Sequence, residues 1–210
     1  LGGDSVSTPG PLMVSITVLG RIPKGQAVTR GGARAGDLIF LSGTLGDGAL
    51  GLRVLQGGLA GLSREHQEFL ADRYRLPRPR VGLGPRLVSL ASAMLDVSDG
   101  LIADARHLAQ ASDVALHIRV ADLPCSTALQ AWPQVQRMEW MLGGGDDYVL
   151  LFTLPVASIR CLEVWASQGF GVTVIGEAVV GSGVWLDDGQ ELSEMVEPAG
   201  YQHFQRNNND

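Results

Sequence analysis

A chain of 210 residues, 45% hydrophobic and 18% charged, can bury a sizeable core and does not have a disordered composition. Its net charge is −6, Lys24 is the single lysine among 16 basic residues, and no basic run interleaves with aromatics, so nucleic acid is a poor partner. No stretch is long and apolar enough for a membrane span, and no secretion signal opens the chain. Cys125 and Cys161 form neither a disulfide framework nor a close metal pair, so the expected setting is cytoplasmic, with reduced thiols and no membrane.

The chain opens in a glycine-acid turn, Leu1-Gly2-Gly3-Asp4. Leu12 to Leu19 alternates and is rich in Val and Ile, which predicts a strand. A glycine-rich linker follows, and a new unit starts with a strand from Asp37 to Ser42. Gly43-Thr44-Leu45-Gly46-Asp47-Gly48 turns into a helix towards Gln56. Its glycines can cradle phosphate through backbone N–H groups, or serve the turn alone, because the Gly-Lys-Ser/Thr ending of a P-loop is missing. Ser63 is placed to cap a helix through Arg75, which Leu76-Pro77-Arg78-Pro79 ends. Helix is expected again from Arg80 to Ala91, with Leu83, Leu87 and Leu90 on one face.

Ala93 to Val97 predicts a short buried strand. Ser98 or Asp99 caps a helix from Gly100 to Ala111 whose core face is Leu101, Ala105, Leu108 and Ala109, with Asp104 and Arg106 in solvent. A strand from Val114 to Val120, a short helix after Leu123-Pro124 and a helix over Gln134 to Leu142 follow. Gly143-Gly144-Gly145-Asp146-Asp147 punctuates the chain before a strand from Tyr148 to Leu154. A helix over Val156 to Gln168 starts after Pro155. Val172 to Val179 and Val184 to Leu186 are the last strands, and Asp188-Gly189 marks a hairpin turn. Strands alternating with helices give an α/β unit with a mixed sheet rather than a uniform doubly wound one. Met138 and Met141 belong to the core.

Chemistry concentrates at Asp96-Val97-Ser98-Asp99-Gly100. A carboxylate ending a strand and another opening the next helix converge above the strand's carboxyl end, where open α/β folds bind ligands. Mg²⁺ takes hard oxygen ligands and uses one or two protein carboxylates alongside phosphate oxygens. Ser98 adds a hydroxyl, and the helix's first N–H groups suit an anion. Helix capping is the competing reading of either Asp. Asp4 is a second metal or anion corner, or a surface turn. Of Asp146 and Asp147, one orients a polar substrate and the other supports the turn, with Tyr148 structural. Arg30 suits bidentate phosphate contact better than Lys24 does. The histidines show no metal spacing, and no nucleophilic triad can be assembled.

Taken together, Gly2-Gly3-Asp4, Leu19 to Pro23, Thr29 to Ala33, Gly36-Asp37, Gly43 to Asp47, Asp96 to Leu101, Gly144 to Tyr148 and Gly200 to Phe204 resemble the thiamine-monophosphate kinase family, in that family's order. The wider superfamily includes aminoimidazole ribonucleotide synthetase and selenophosphate synthetase. The resemblance implies an aminoimidazole ribonucleotide synthetase-like C-terminal domain with a mixed sheet and packed helices, plus a remnant strand of the N-terminal domain. It implies ATP-dependent phosphorylation of thiamine monophosphate to thiamine diphosphate with Mg²⁺. By motif match Asp4, Asp96 and Asp99 are metal ligands, Gly3 and Asp4 border ATP, and Arg30 and Ser98 contact it. Asp96, Asp99 and Arg30 then carry the catalysis, Asp146 binds substrate, and Tyr201 packs on the thiamine end. The acceptor phosphate is itself the nucleophile, so no general base is required.

Residues 1–28 are expected to be a remnant of the ATP- and metal-binding, dimerising N-terminal domain with a linker, 29–206 the C-terminal α/β domain, and 207–210 a flexible tail. With the early part of the family pattern missing, this polypeptide is expected to be inactive alone, and the full-length protein a homodimer through that domain. Val149 stands where the family usually has Glu, which predicts a lost polar contact, either behind the site residues or at a strand edge. Another ATP-using enzyme of the superfamily, or a non-catalytic nucleotide-binding module, is the alternative.

Overall fold

The computed structural model describes residues 10–11, 14–57, 59, 61–160, 164–165 and 168–195. Its strands are β1 (Asp37–Leu41), β2 (Ala93–Val97), β3 (Ala115–Arg119), β4 (Val149–Pro155), β5 (Thr173–Val179), β6 (Val184–Asp187) and β7 (Leu192–Glu194). They form a single sheet in the order β2-β4-β1-β5-β3-β6-β7, antiparallel throughout except for the parallel pair β3 and β6. The helices are α1 (Asp47–Leu55), α2 (Arg64–Arg75), α3 (Gly84–Leu87), α4 (Leu101–Ser112), α5 (Thr127–Gln130) and α6 (Gln134–Gly143). None is long and apolar enough to cross a membrane.

Alternation along the strands divides the core in two. Ile39, Leu41, Leu95, Val97, Val149 and Leu151 enter the larger cluster, which Leu50 of α1 and Leu101, Ala105 and Leu108 of α4 complete. Phe40, Phe152 and Leu154 enter the smaller one, closed by Leu83, Leu87 and Trp165. Phe40 and Phe152 are direct partners across β1 and β4, and their rings stack with centroids 5.3 Å apart. Such a cross-strand aromatic pair adds roughly 0.5–1.5 kcal/mol beyond its buried area and helps pin the register. Ser63 caps α2 as expected, its Oγ accepting from His66 N at 3.2 Å.

Several expectations change. Residues 14–20 pair with no strand, and Val14, Ile16, Val18 and Leu19 are exposed. A strand needs a ladder neighbour, and this segment has none among the described residues; Leu12 and Met13 fall outside them. Helix in 80–91 shrinks to α3, because Val88 is extended and Ser89 takes φ 69°. Leu83, Leu87 and Leu90 still reach the core. In 156–168 the described residues include a 3₁₀ turn at Val156–Ser158 and helical Val164 and Trp165, with 161–163 and 166–167 outside description. β7 was not expected, since its side chains are exposed and carry no apolar alternation. Asp188 does turn the β6–β7 hairpin, its carboxylate accepting from Gln190 and Glu191 N–H.

α1 and α2 touch at Gly51, where an added Cβ would lie 2.1 Å from the Leu70 carbonyl oxygen. Alanine for a mid-helix glycine normally gains about 1 kcal/mol. Here the obstacle is backbone, so the helices must separate, at about 1–3 kcal/mol or more. Gly51→Ala is therefore expected to lower stability despite the better helix former, measured as a lower urea midpoint at unchanged m-value.

Candidate functional site

Three glycine-acid corners meet at one end of the sheet: 43–48 after β1, 96–100 at the end of β2, and 143–148 before β4. Asp146 N donates to Ser98 O at 3.0 Å and Tyr148 N to Val97 O at 2.9 Å, which staples the second corner to the third. The glycines let main chains touch. An added Cβ would lie 2.4 Å from Ser98 O at Gly145 and 2.5 Å from Asp146 O at Gly48. At Gly100 it would lie 2.9 Å from the Gly143 carbonyl carbon, and φ there is 111°, a conformation suited to glycine.

Buried carboxylates hold these corners from inside. Asp147, 1% exposed, accepts from Gly46 N at 2.6 Å and Gly48 N at 3.0 Å. The N–H cradle foreseen for phosphate at the start of α1 is thus filled by the protein's own carboxylate. Asp47 accepts from Thr44 Oγ1 and Ser126 Oγ, each at 2.5 Å, with Arg73 Nε 3.8 Å away. Burial pushes Asp47 up, against the hydrogen bonds from Ser126 and Thr44 and the charge of Arg73. Burial also pushes Asp147 up to about 7, against the N–H bonds from Gly48 and Gly46.

The expected cap of α4 is reversed. Its N-cap is Gly100 without a side-chain bond, and Asp104 instead reaches back to accept from Ser98 N and Asp99 N, each at 3.0 Å. Asp104, read as solvated, is buried, and burial raises its pKa against those two bonds. Arg106 is not simply solvated either, since it donates to the Met195 carbonyl. Ser98 and Asp99 are freed from capping, and both line a cleft of about 1100 Å³ between α1, α6 and the corners. Asp146 and Tyr148 line it too, the Tyr148 hydroxyl donating to Asp146 Oδ1 at 3.1 Å. Burial first, then that bond, raises Tyr148. Asp146 and Tyr148 hold φ of 66° and 52°, unusual for residues with side chains and a form of strain that collects at functional sites. Of the acid pair, Asp147 supports the turn and Asp146 faces the cleft.

Asp96 is exposed at the end of β2, outside the cleft lining, yet close enough to raise both Tyr148 and Asp104 electrostatically. Arg30 stands elsewhere: its carbonyl accepts from Ser112 Oγ, at the far end of α4 from Asp99. Twelve helical residues, about 18 Å at 1.5 Å rise, lie between those ends. Gly3, Asp4 and Tyr201 lie outside the described residues. Val149 is not at an exposed strand edge; it is 1% exposed, in the larger core. Among the described residues no group of three His, Cys, Asp or Glu can hold a metal. Asp96 and Asp99 carry hard oxygens of the kind Mg²⁺ takes, from two residues only. Asp104 could have been found from sequence, as an acid in the first helical turn beside two orphan N–H groups.

The family profile "AIR synthase related protein, C-terminal domain" matches residues 34–187. The chain is 38% identical over 208 residues to the thiamine-monophosphate kinase of Escherichia coli K12, covering 97% of this chain and 63% of that protein. The crystal structure of thiamine-monophosphate kinase from Stenotrophomonas maltophilia K279a superposes with a TM-score of 0.74 at 41% identity, over 79% of this chain and 54% of that one. AaThiL complexed with AMPPCP and TMP superposes at 0.71 and 38% identity, over 84% and 54%. The chain spans about half to two thirds of these relatives' own length, 63% of the Escherichia coli protein and 54% of each of the two solved chains.

A folded pKa above the unfolded 3.8 means Asp147 contributes stability that is full below about 4 and lost as pH rises through about 7. Urea denaturation at pH 5 and pH 8 should therefore show a stabler protein at pH 5. Asp147→Asn should lower stability overall by roughly 1–3 kcal/mol through an imperfectly matched N–H cradle and flatten the slope in that window.

Proposed function

The chain belongs to the AIR synthase related protein family, and on that premise we propose that it serves ATP-dependent transfer of a phosphoryl group to thiamine monophosphate. The observation that carries this reading is the convergence of Ser98, Asp99 and Asp146 on one cleft whose walls include Tyr74, Trp140 and Tyr148. Oxygen donors at one rim suit metal-bound phosphates, and aromatic faces with nearby carboxylates suit a cationic heteroaromatic ring. The likeness to thiamine-monophosphate kinases at 38% identity supports the same substrates.

In this reading Asp99 and Asp96 bind the divalent ion that accompanies the nucleotide, with Asp4 completing the set. Mg²⁺, when bound, supplies neutralisation of phosphate charge and alignment of donor with acceptor. Ser98 donates its hydroxyl to a phosphate oxygen. Arg30, displaced towards the far end of α4, meets a different part of an extended nucleotide. Asp146, steadied by the Tyr148 hydroxyl, orients the acceptor, and Tyr201 packs on its thiamine end. None of these groups need abstract a proton, because the acceptor is already an anionic phosphate. Asp147 is the most perturbed acid, but with both oxygens engaged by N–H donors it holds the turn and does not act as a base.

Thiamine-monophosphate-dependent ADP release by the full-length protein, followed by a coupled assay, tests the reading; ADP release indifferent to thiamine monophosphate counts against it. Asp99→Asn should raise the Mg²⁺ concentration for half-activity by more than the roughly 10–100-fold typical of a supporting residue. An unchanged metal requirement removes Asp99 from that role. Asp146→Ala should raise KM for thiamine monophosphate and leave KM for ATP within about twofold, since it removes substrate binding alone.

A further inference from the structure

Arg80, between α2 and α3, is half-buried at the end of the sheet that bears the three corners. Its Nε is buried with no hydrogen-bond partner. Its guanidinium packs at Gly43: a Cβ there would lie 2.6 Å from Arg80 Nη2 and 2.8 Å from Val149 Cγ1. Burial first, then the nearby cations Arg73 and Arg78, push its pKa down. Arg73 stands 3.8 Å from Asp47, its Nε also buried without a hydrogen bond, and Arg78 donates to Asp72. A guanidinium taken partly out of water without a carboxylate is an unusual state, because buried charge is normally paired. The neighbouring position that could have carried the partner is Val149, which meets the same empty Cβ space.

The location gives this unpaired cation a use. Asp96 pairs with Leu150, and Ser42 N bonds Leu150 O, so the end of β1 stands two strand spacings, roughly 10 Å, from Asp96, with Arg80 itself outside the cleft lining. We propose that Arg80 is an anion-binding residue of this site, taking a phosphate oxygen of the ligand held at the Asp96–Asp99 corner. Val149 is what leaves it free to do so. The idea rests on the phosphoryl-transfer reading for the identity of the anion, and on this chain's geometry for the residue. A planar fork suits two phosphate oxygens at once, which a lysine would not reproduce.

Thermal shift and calorimetric titration of the purified protein with inorganic pyrophosphate, Mg²⁺-ADP and thiamine monophosphate test it. Arg80→Gln should weaken binding of at least one of these roughly ten- to a hundredfold and flatten its dependence on NaCl. Arg80→Lys should recover part of the loss, and Arg78→Gln, at an exposed arginine, none should be lost. Val149→Glu, which sets a carboxylate against the guanidinium, should abolish the same binding. Loss confined to Mg²⁺-ADP assigns Arg80 to the nucleotide, and loss confined to thiamine monophosphate assigns it to the acceptor. The ligand-free Tm of Arg80→Gln should not fall, which separates ligand contact from a structural role. The proposal is overturned if no phosphate ligand binds the parent protein at millimolar concentration, or if Arg80→Gln changes every affinity by less than about twofold. Arg80-dependent binding in a full-length protein that shows no thiamine-monophosphate-dependent turnover would remove the kinase reading and leave the anion site standing.

Discussion

Main chain packed on main chain, with carboxylates sealing the join, is what the rest of the molecule hangs on. At the corners around Gly48, Gly100 and Gly145 three backbone segments touch with no room for a Cβ. Peptide groups brought that close cannot all pair in a ladder, and unpaired buried N–H groups are costly. Asp147 and Asp104 each resolve two of them, across the first corner and the second. Their burial is why those acids titrate high, and the arrangement leaves Ser98, Asp99 and Asp146 facing outward. The exposed chemistry depends on carboxylates buried behind it.

Placement of the cleft follows from topology. β2 ends, and β4 begins, side by side at the edge of the sheet. The turn leaving β2 and the turn entering β4 therefore occupy the same place, though 46 positions separate Asp99 from Gly145 in the printed numbering. α1 arrives beside them because β1 neighbours β4 on its other side. Glycine-rich turns distant in sequence become one rim through strand order alone.

Much of this was legible beforehand. β1 to β6, α1, α2, α4 and α6 fall close to where periodicity put them, because their apolar faces are long enough to dominate local preference. Spacing left open which of Asp146 and Asp147 supports the turn, and the resemblance put Asp146 at the substrate; Asp147 holds the turn and Asp146 faces the cleft. What could not be read was electrostatic traffic across the chain. Spacing suggested that Ser98 or Asp99 caps α4, yet Asp104 takes those donors, and of the two readings of the 43–48 glycines, phosphate cradle or turn alone, the Asp147 carboxylate favours the turn. Arg30 shares motifs with the acidic corner, but its backbone is anchored at Ser112. Local patterns carry turns and faces; they do not say which distant carboxylate fills a given cradle.

One further outcome follows from the strand order β2-β4-β1-β5-β3-β6-β7. Only β6 and β7 are neighbours in both sequence and space, so every other pairing must close a long loop first. Such a sheet should assemble slowly, with its centre completed late. On the ribosome β1 would wait through more than a hundred residues for either flanking strand, its hydrophobic Ile39, Phe40 and Leu41 without cover. Chaperone demand, rather than final stability, is where this architecture would be felt in a cell.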